Sequence, residues 1–397
     1  MHIAIISNSA SFPWGMASTN RVKLLAKGLM HLGHSVYYIG VRGAHTNFSG
    51  KKKRSGICEE IEYNYPGLFA VRPKNWSLRR VDDITAKINS TRFIKNLAKS
   101  NKLDLIILYT RDYNTVSTWS AIAKKIGVKT VLELCEWPVT YLNKERKNAE
   151  IFCKKAPTMV DGVMPISGFI TNELQNENWK ANGIGKPIYE IPILVESEKF
   201  DNNRIDSKSE KPYIVYSGSS GYINIAAMII KAMGKLKQSG CQIELKITGD
   251  LNGNKNYKLK ELLEEYGIDD IVTFTGYLDE DVLIETMANA RALLAPVPDD
   301  KQTQARFPTK IGFYLASGTP VITNPYGEVA RYLTDKENVI FMDTFSSEEL
   351  KSKIQYVLSD RESSNLIGAR GREVALNNFD YKSALNGFDD FIQKLYK

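Results

Sequence analysis

The sequence predicts an α/β protein made of two doubly wound domains in series. Three observations carry that expectation. The chain has 397 residues, which is long for one compact domain and comfortable for two. Short β-branched runs alternate with longer amphipathic stretches, as parallel α/β architecture requires. The net charge of +8 is unevenly divided. Residues 1–200 hold 29 Lys+Arg against 17 Asp+Glu (+12), and the remainder holds 24 against 28 (−4). A basic half and a mildly acidic half suggest two domains with different partners. With 43% hydrophobic and 25% charged residues, disordered, collagen-like and disulfide-scaffold chains are excluded.

In order, Ile3–Ser7 reads as a strand. Val22, Leu25, Leu29 and Leu32 follow at spacings of 3 or 4, one face of a helix, with Ser18 as its cap. Gly33 suits a left-handed helix end. Further strands are expected at Val36–Ile39, Leu105–Tyr109, Thr130–Leu134, Val163–Ile166 and Tyr189–Ile193. The polar stretch Asp201–Pro212 reads as a linker. A second unit begins at Tyr213, with strands at Tyr213–Ser217, Ile243–Thr248, Val272–Thr275, Ala292–Ala295, Val321–Thr323 and Val339–Phe341. Tyr381–Leu395 reads as a final amphipathic helix. The domain limits are 1–199, a linker at 200–212, 213–376, and a last helix in 377–397.

Several chemistries find no support. No apolar run approaches the roughly 20 residues that span a bilayer, and the N-terminus lacks the basic start of a signal peptide. Cys58, Cys135, Cys153 and Cys241 form no CxxC pair, so a reduced, cytosolic setting is expected. The four histidines lie within the first 45 residues and give no zinc spacing. Neither GxxxxGK[ST] nor GxGxxG is present. Asp279-Glu280-Asp281 spells D-x-D, but it opens a helix, where acidic side chains cap and complement the dipole.

Three loops after strands could carry chemistry. Ser9–Asn20 contains Pro13 and Gly15, and Arg21 follows at a helix start; anion or sugar binding and a plain connecting loop both fit. Tyr216–Tyr222 is rich in small residues that permit close backbone approach; alone it reads as a turn. Ala305–Thr323 is the richest. Pro308 suits a helix first turn, and Thr309 and Lys310 then lie at a helix N-terminus. With Arg306 nearby, a hydroxyl, backbone N–H groups and two cations favour a diphosphate.

These residues resemble a specific family. The chain is similar to GT-B glycosyltransferases of family 4 (group 1). The resemblance runs through the Gly15 loop, Gly33-His34 and Met159–Ser167. It continues through Tyr216-Ser217-Gly218, Ile247-Thr248-Gly249-Asp250 and Phe274-Thr275-Gly276-Tyr277. Pro308-Thr309-Lys310, Ala316–Ile322 and Gly327-Glu328-Val329 complete it. It covers nearly the whole chain and is strongest over 213–376. It implies two Rossmann-like domains facing across a cleft, with the last helix crossing back to the first domain. The second domain would hold a nucleotide-sugar donor through Gly218, Ser219, Gly276, Tyr277, Thr309 and Glu328, with Gly15 closing over the phosphates. Arg306 and Lys310 would act on the leaving diphosphate. Arg21, Arg111, Glu133 and Glu136 are the acceptor-side candidates.

The departures are specific. The family's paired glutamates, eight positions apart, align with Ala305 and Phe313. Phe313 cannot accept the hydrogen bonds of ribose hydroxyls; packing into the domain interior is the plainer reading of that ring. The family's basic pair aligns with Ser219 and residues near Ile223–Asn224. Its first-domain histidine aligns near Cys135.

The expected activity is transfer of a sugar from a nucleotide-sugar to a lipid-linked or polysaccharide acceptor. The resemblance implies retention of configuration and no metal or other cofactor. A non-catalytic member that lost its donor site is the alternative, and an epimerase acting on a UDP-sugar ranks last. Lys51–Arg54, Arg72, Lys74, Arg79 and Arg80 lie among Phe69 and Trp76. No nucleic-acid motif accompanies them; an anionic membrane surface fits better, against a merely solvated basic loop. The expected location is cytoplasmic, peripheral at the inner face of the cell membrane.

Overall fold

A computed structural model describes residues 1–45, 52–140, 146–179, 185–201, 211–251 and 257–397. Lys51 and most of the expected linker, 202–210, lie outside the described residues. The chain forms two compact units, one of Met1–Leu194 with Tyr381–Lys397, the other Val195–Asp380.

The first unit runs β1 (His2–Ser7), α1 (Ala17–His31), β2 (Ser35–Gly40), β3 (Ser55–Cys58), β4 (Ile61–Asn64), α2 (Trp76–Lys99), β5 (Leu105–Tyr109), α3 (Tyr113–Ile126), β6 (Lys129–Leu134), α4 (Arg146–Lys155), β7 (Gly162–Pro165) and α5 (Gly168–Glu173). Its sheet order is β3-β4-β2-β1-β5-β6-β7. All pairs are parallel except β3 with β4. β1 and β5 are buried almost throughout, so they read as continuous apolar runs rather than alternating ones.

Three local expectations need correction, and one hairpin is new. α1 has Met16 at its cap position with no side-chain bond, and Ser18 lies inside the helix. Tyr189–Ile193 is no strand. Its backbone follows β7 through bonds from Val163 N to Pro187 O, Tyr189 N to Val163 O and Ile191 N to Pro165 O. Pro187 and Pro192 lack the N–H groups that a longer ladder needs. The β3–β4 hairpin carries no turn signal in the sequence: its turn places Glu59 and Glu60 at φ 48° and 66°, where Asn-Gly is the usual signal. The C-terminal segment is not one helix: a 3₁₀ turn at Ser383–Leu385 precedes a helix at Phe388–Tyr396. The break falls at Gly387, whose N–H donates to Tyr189 Oη at 3.3 Å, while that hydroxyl donates to Ala384 O at 2.9 Å.

This tail belongs to the first unit's core, where Tyr381, Leu385, Phe388, Phe391 and Leu395 join Leu25, Leu29 and Ile191. Gly28 explains the approach: a Cβ there would fall on Leu385 and on Tyr381 O.

The second unit runs β8 (Tyr213–Ser217), α6 (Ile223–Gln238), β9 (Glu244–Thr248), α7 (Tyr257–Tyr266), β10 (Val272–Gly276), α8 (Glu280–Ala288), β11 (Leu293–Ala295), α9 (Lys301–Ala305), α10 (Thr309–Ala316), β12 (Val321–Thr323), α11 (Val329–Tyr332), β13 (Ile340–Phe341), α12 (Ser347–Ser359) and α13 (Arg361–Val374). The remaining helix, α14, is Phe388–Tyr396 of the first unit. The sheet order is β10-β9-β8-β11-β12-β13, parallel throughout. The order reverses direction next to β8, and such a switch leaves a crevice at the strands' C-terminal ends. α10 buries Ile311, Tyr314 and Leu315. Asp279 stands at the cap of α8, with Glu280 and Asp281 in its first turn. Glu280 binds Lys199 at 2.6 Å.

Candidate functional site

The crevice beside β8 gathers most of the donor-side candidates. The loops after β8, β9 and β10 are bonded side by side. Gly218 N donates to Thr248 O at 2.9 Å, and Gly249 N donates to Gly276 O at 2.8 Å. Thr248 Oγ1 donates to Ser217 Oγ at 2.8 Å. Gly249 has φ +101°, and a Cβ there would fall on Gly218 O. These strand ends are therefore held together through backbone, with no room for a side chain.

α10 starts against this edge. Lys310 Nζ donates to Ser217 O at 2.8 Å and lies 4.6 Å from the centroid of the Tyr216 ring. Tyr314 Oη accepts from Ser217 N at 2.7 Å. No carboxylate among the described residues forms an ion pair with Lys310, and burial lowers its pKa to about 8. A desolvated ammonium held by a carbonyl and a ring face, with no counter-ion, is electrostatically incomplete. Thr309 begins the same helix, whose positive dipole end adds to the potential.

Arg306 lies just upstream, after α9. Its Nη1 donates to Tyr222 Oη at 2.9 Å, and Tyr222 N donates to Ser219 O at 2.9 Å. Arg306 thus reaches the Gly218–Ser219 turn through Tyr222, a residue that the sequence marks only as the end of a small-residue loop. Tyr277 is 63% exposed beside the β10 end. Desolvation and the nearby Asp250 raise its phenol pKa.

The two positions that lack glutamate differ. Ala305 is fully buried. Phe313 is half-buried, edge-on to Phe200 with ring centroids 4.9 Å apart. Glu328 is buried at the start of α11 and binds Arg331 at 2.7 Å. The preceding Gly327 lies against Thr303 and Gln304 of α9.

In the first unit the acceptor-side candidates form two pairs. Arg21 and Glu133 are buried, with Nη2 and Oε1 2.8 Å apart. Arg21 also donates to Ile191 O at 2.9 Å and to Pro192 O. Cys135 Sγ lies 2.9 Å from both Glu133 oxygens. Burial pushes the Cys135 thiol well up, and the Glu133 charge adds to the rise. Arg111 and Glu136 form the second pair, nearer the surface. Gly15 packs on Thr19: a Cβ would fall on Thr19 Oγ1, which accepts from Ser11 N at 2.9 Å. Its close approach is thus to its own loop. Among the described residues no His, Cys, Asp and Glu group is arranged to hold a metal ion.

Residues 197–374 match the family model for glycosyl transferases group 1. No curated protein matches the chain in sequence. Solved structures of GT-B glycosyltransferases share the fold across both units. Sucrose-phosphate synthase from Thermosynechococcus elongatus superposes with TM-score 0.72 at 15% identity, covering 99% of this chain and 98% of that one. Anabaena HepE in complex with UDP-glucose gives 0.68 at 14%, covering 98% and 99%. WaaG, a glycosyltransferase involved in lipopolysaccharide biosynthesis, gives 0.64 at 15%, covering 98% and 99%.

Proposed function

We propose, on the premise that this chain has the GT-B fold and carries a group 1 glycosyl transferase domain, that it transfers a sugar from a nucleotide-sugar to a glycan or lipid-linked acceptor. The single observation that carries the reading is Lys310. Its ammonium lies at a helix start, against the β8 edge, with a carbonyl and a ring around it and no ion pair to a carboxylate among the described residues. The missing counter-ion is then the donor diphosphate. HepE, of the same fold, was solved with UDP-glucose, which makes a nucleotide diphosphate the natural probe.

In this reading Lys310 and the α10 N-terminus stabilise the negative charge that grows on the diphosphate as the glycosidic bond breaks. Arg306, steered by Tyr222, adds a second cation. Ser219, on the turn after β8, meets the phosphates, and Tyr277 offers a ring to the base. Charge neutralisation by side chains and a helix end makes a metal unnecessary, and retention of configuration follows family precedent. The acceptor would be reached at the inner face of the cell membrane.

A second reading is favoured by Ala305 and Phe313: a sugar-binding or partner subunit that has lost donor chemistry. Losing a hydrogen bond to a charged group costs about 1.5–3 kcal/mol, so two missing carboxylates weaken an ordinary donor site severely. Calorimetric titration with a panel of nucleotides and nucleotide-sugars separates the two. The leading reading expects binding by at least one of them and nucleotide release when acceptor is added. No binding by any ligand at millimolar concentration would sink it.

A further inference from the structure

We infer that the outward face of α2 is a docking surface for an anionic lipid bilayer, the apolar stripe entering the interface and the flanking cations meeting headgroups. This deepens the membrane-side part of the function proposed above and rests on it; the test needs neither donor nor acceptor.

α2 is a 24-residue helix that points its apolar residues the wrong way for a soluble surface. Its buried positions are Asp82, Ala86, Ser90 and Ile94, spaced by four. On the opposite side Val81, Ile84 and Ile88 fall at spacings of 3 and 4 and are 51%, 62% and 47% exposed. Leu78 (46%) continues the apolar stripe one turn toward the helix start. Large apolar side chains scattered singly need no explanation, but four at spacings of 3, 3 and 4 along one helix form a patch that does.

Charge identifies the occupant. Arg80, Lys87, Arg92, Lys95 and Lys99 are exposed on this helix. Asp82 and Asp83 are the only acidic residues in α2, and both are engaged away from that face. Asp82 Oδ1 accepts from Leu68 N at 2.6 Å and Phe69 N at 3.2 Å. Asp83 binds Arg72 at 3.0 Å. Along the outward face the apolar stripe of the first half of the helix gives way to Arg92, Lys95 and Lys99, with Arg80 and Lys87 on one flank and no acidic residue of α2 among them, the composition of an interfacial helix. Arg80 packs over the Trp76 ring at 5.5 Å, which leaves an amphipathic pair at the helix start. In the segment before α2, Arg54 donates to Gly67 O and Lys52 lies over Trp14, while Lys53 and Lys74 are exposed. The apolar stripe makes α2 the element that docks.

Co-sedimentation with vesicles tests this. The full chain should bind phosphatidylcholine vesicles containing phosphatidylglycerol, and bind pure phosphatidylcholine at least tenfold more weakly. Ile84→Asn with Ile88→Asn should lower the partition coefficient on anionic vesicles at least tenfold, with an unchanged unfolding midpoint. Arg80→Ala with Lys87→Ala should lower it and flatten its salt dependence. Failure of the wild type to bind anionic vesicles overturns the inference, as does wild-type binding by the Ile84/Ile88 variant. Sedimentation velocity provides the other overturning result: a wild-type dimer that this variant dissociates would make a second copy the occupant. Nucleotide titration is independent of all these outcomes, so loss of the docking inference leaves the donor reading standing.

Discussion

Arg21 of α1 and Glu133 of β6 bind each other at 2.8 Å with both side chains withdrawn from solvent. The guanidinium also holds the carbonyls of Ile191 and Pro192, so one side chain ties a helix, the strand next to the sheet edge and the segment that follows β7. Removing one member of a buried, hydrogen-bonded pair strands the other charge and typically costs about 3–5 kcal/mol. Arg21→Met should therefore lower the stability measured by urea unfolding by that order. Arg21→Met with Glu133→Leu should recover part of the loss, since no charge is then left buried. An Arg21→Met protein of normal stability that has lost turnover would instead place Arg21 at the acceptor.

Lys310 predicts a pH profile. Its folded pKa of about 8 lies below the ordinary 10.5 because burial opposes the charge. Below pH 8 the group is protonated in both folded and unfolded chains, and the burial penalty is fully present. Between pH 8 and 10.5 the unfolded chain binds more protons, so this group's contribution to stability rises with pH. Ligand binding runs the opposite way, since a diphosphate needs the ammonium. The affinity for UDP should fall as pH rises above 8, by up to about tenfold per unit, and Lys310→Met should flatten the curve. Lys310→Ala should lower kcat/KM about 10²-fold. A flat wild-type binding profile from pH 7 to 9.5 would remove Lys310 from the diphosphate.

The ring of Phe313, which the sequence resemblance aligns with a ribose-binding carboxylate, meets Phe200 edge-on. An aromatic pair of this geometry contributes about 0.5–1.5 kcal/mol beyond area burial. Because Phe313 is only half-buried, Phe313→Glu should cost about 1–3 kcal/mol and leave a folded protein. If the crevice keeps the family's shape, the new carboxylate should tighten binding of ribonucleotides relative to 2′,3′-dideoxynucleotides. Calorimetry on both ligand types reads this directly, and equal affinities would place the Phe313 side chain away from ribose.

Much of this was legible in the sequence, for identifiable reasons. The parallel strands of both units are short, apolar and bounded by turns, so Leu105–Tyr109, Tyr213–Ser217 and Val321–Thr323 are found where periodicity puts them. The place of Lys310 at a helix start is legible because Pro308, Thr309 and Gly318 frame that helix. Other features had no local signal. The Glu59–Glu60 turn uses residues that rarely adopt positive φ. Buried Asp82 and Ser90 beside exposed Ile84 and Ile88 leave α2 without the inward apolar stripe that marks a helix. The Arg21–Glu133 bond joins residues 112 apart in sequence, and the Arg306–Tyr222 bond joins residues 84 apart. Pairings over such distances are set by the order of strands in a sheet, which one-dimensional spacing does not encode.

Gly249 offers the sharpest test of the crevice. Its φ of +101° is hostile to any side chain, and its missing Cβ leaves room for Gly218 O. Gly249→Ala would force the turn after β8 away from the loop after β9. The turn after β8, at Ser219, is the element expected to meet the phosphates, and Lys310 is anchored on the adjacent Ser217 O. The substitution should therefore weaken nucleotide binding by more than tenfold. Backbone strain of this kind costs on the order of 1–3 kcal/mol, so the second unit should remain folded at low temperature. Circular dichroism at 10 °C with parallel calorimetry checks both parts. A folded Gly249→Ala protein that binds nucleotide like the wild type would move the phosphate site away from the β8–β9 edge.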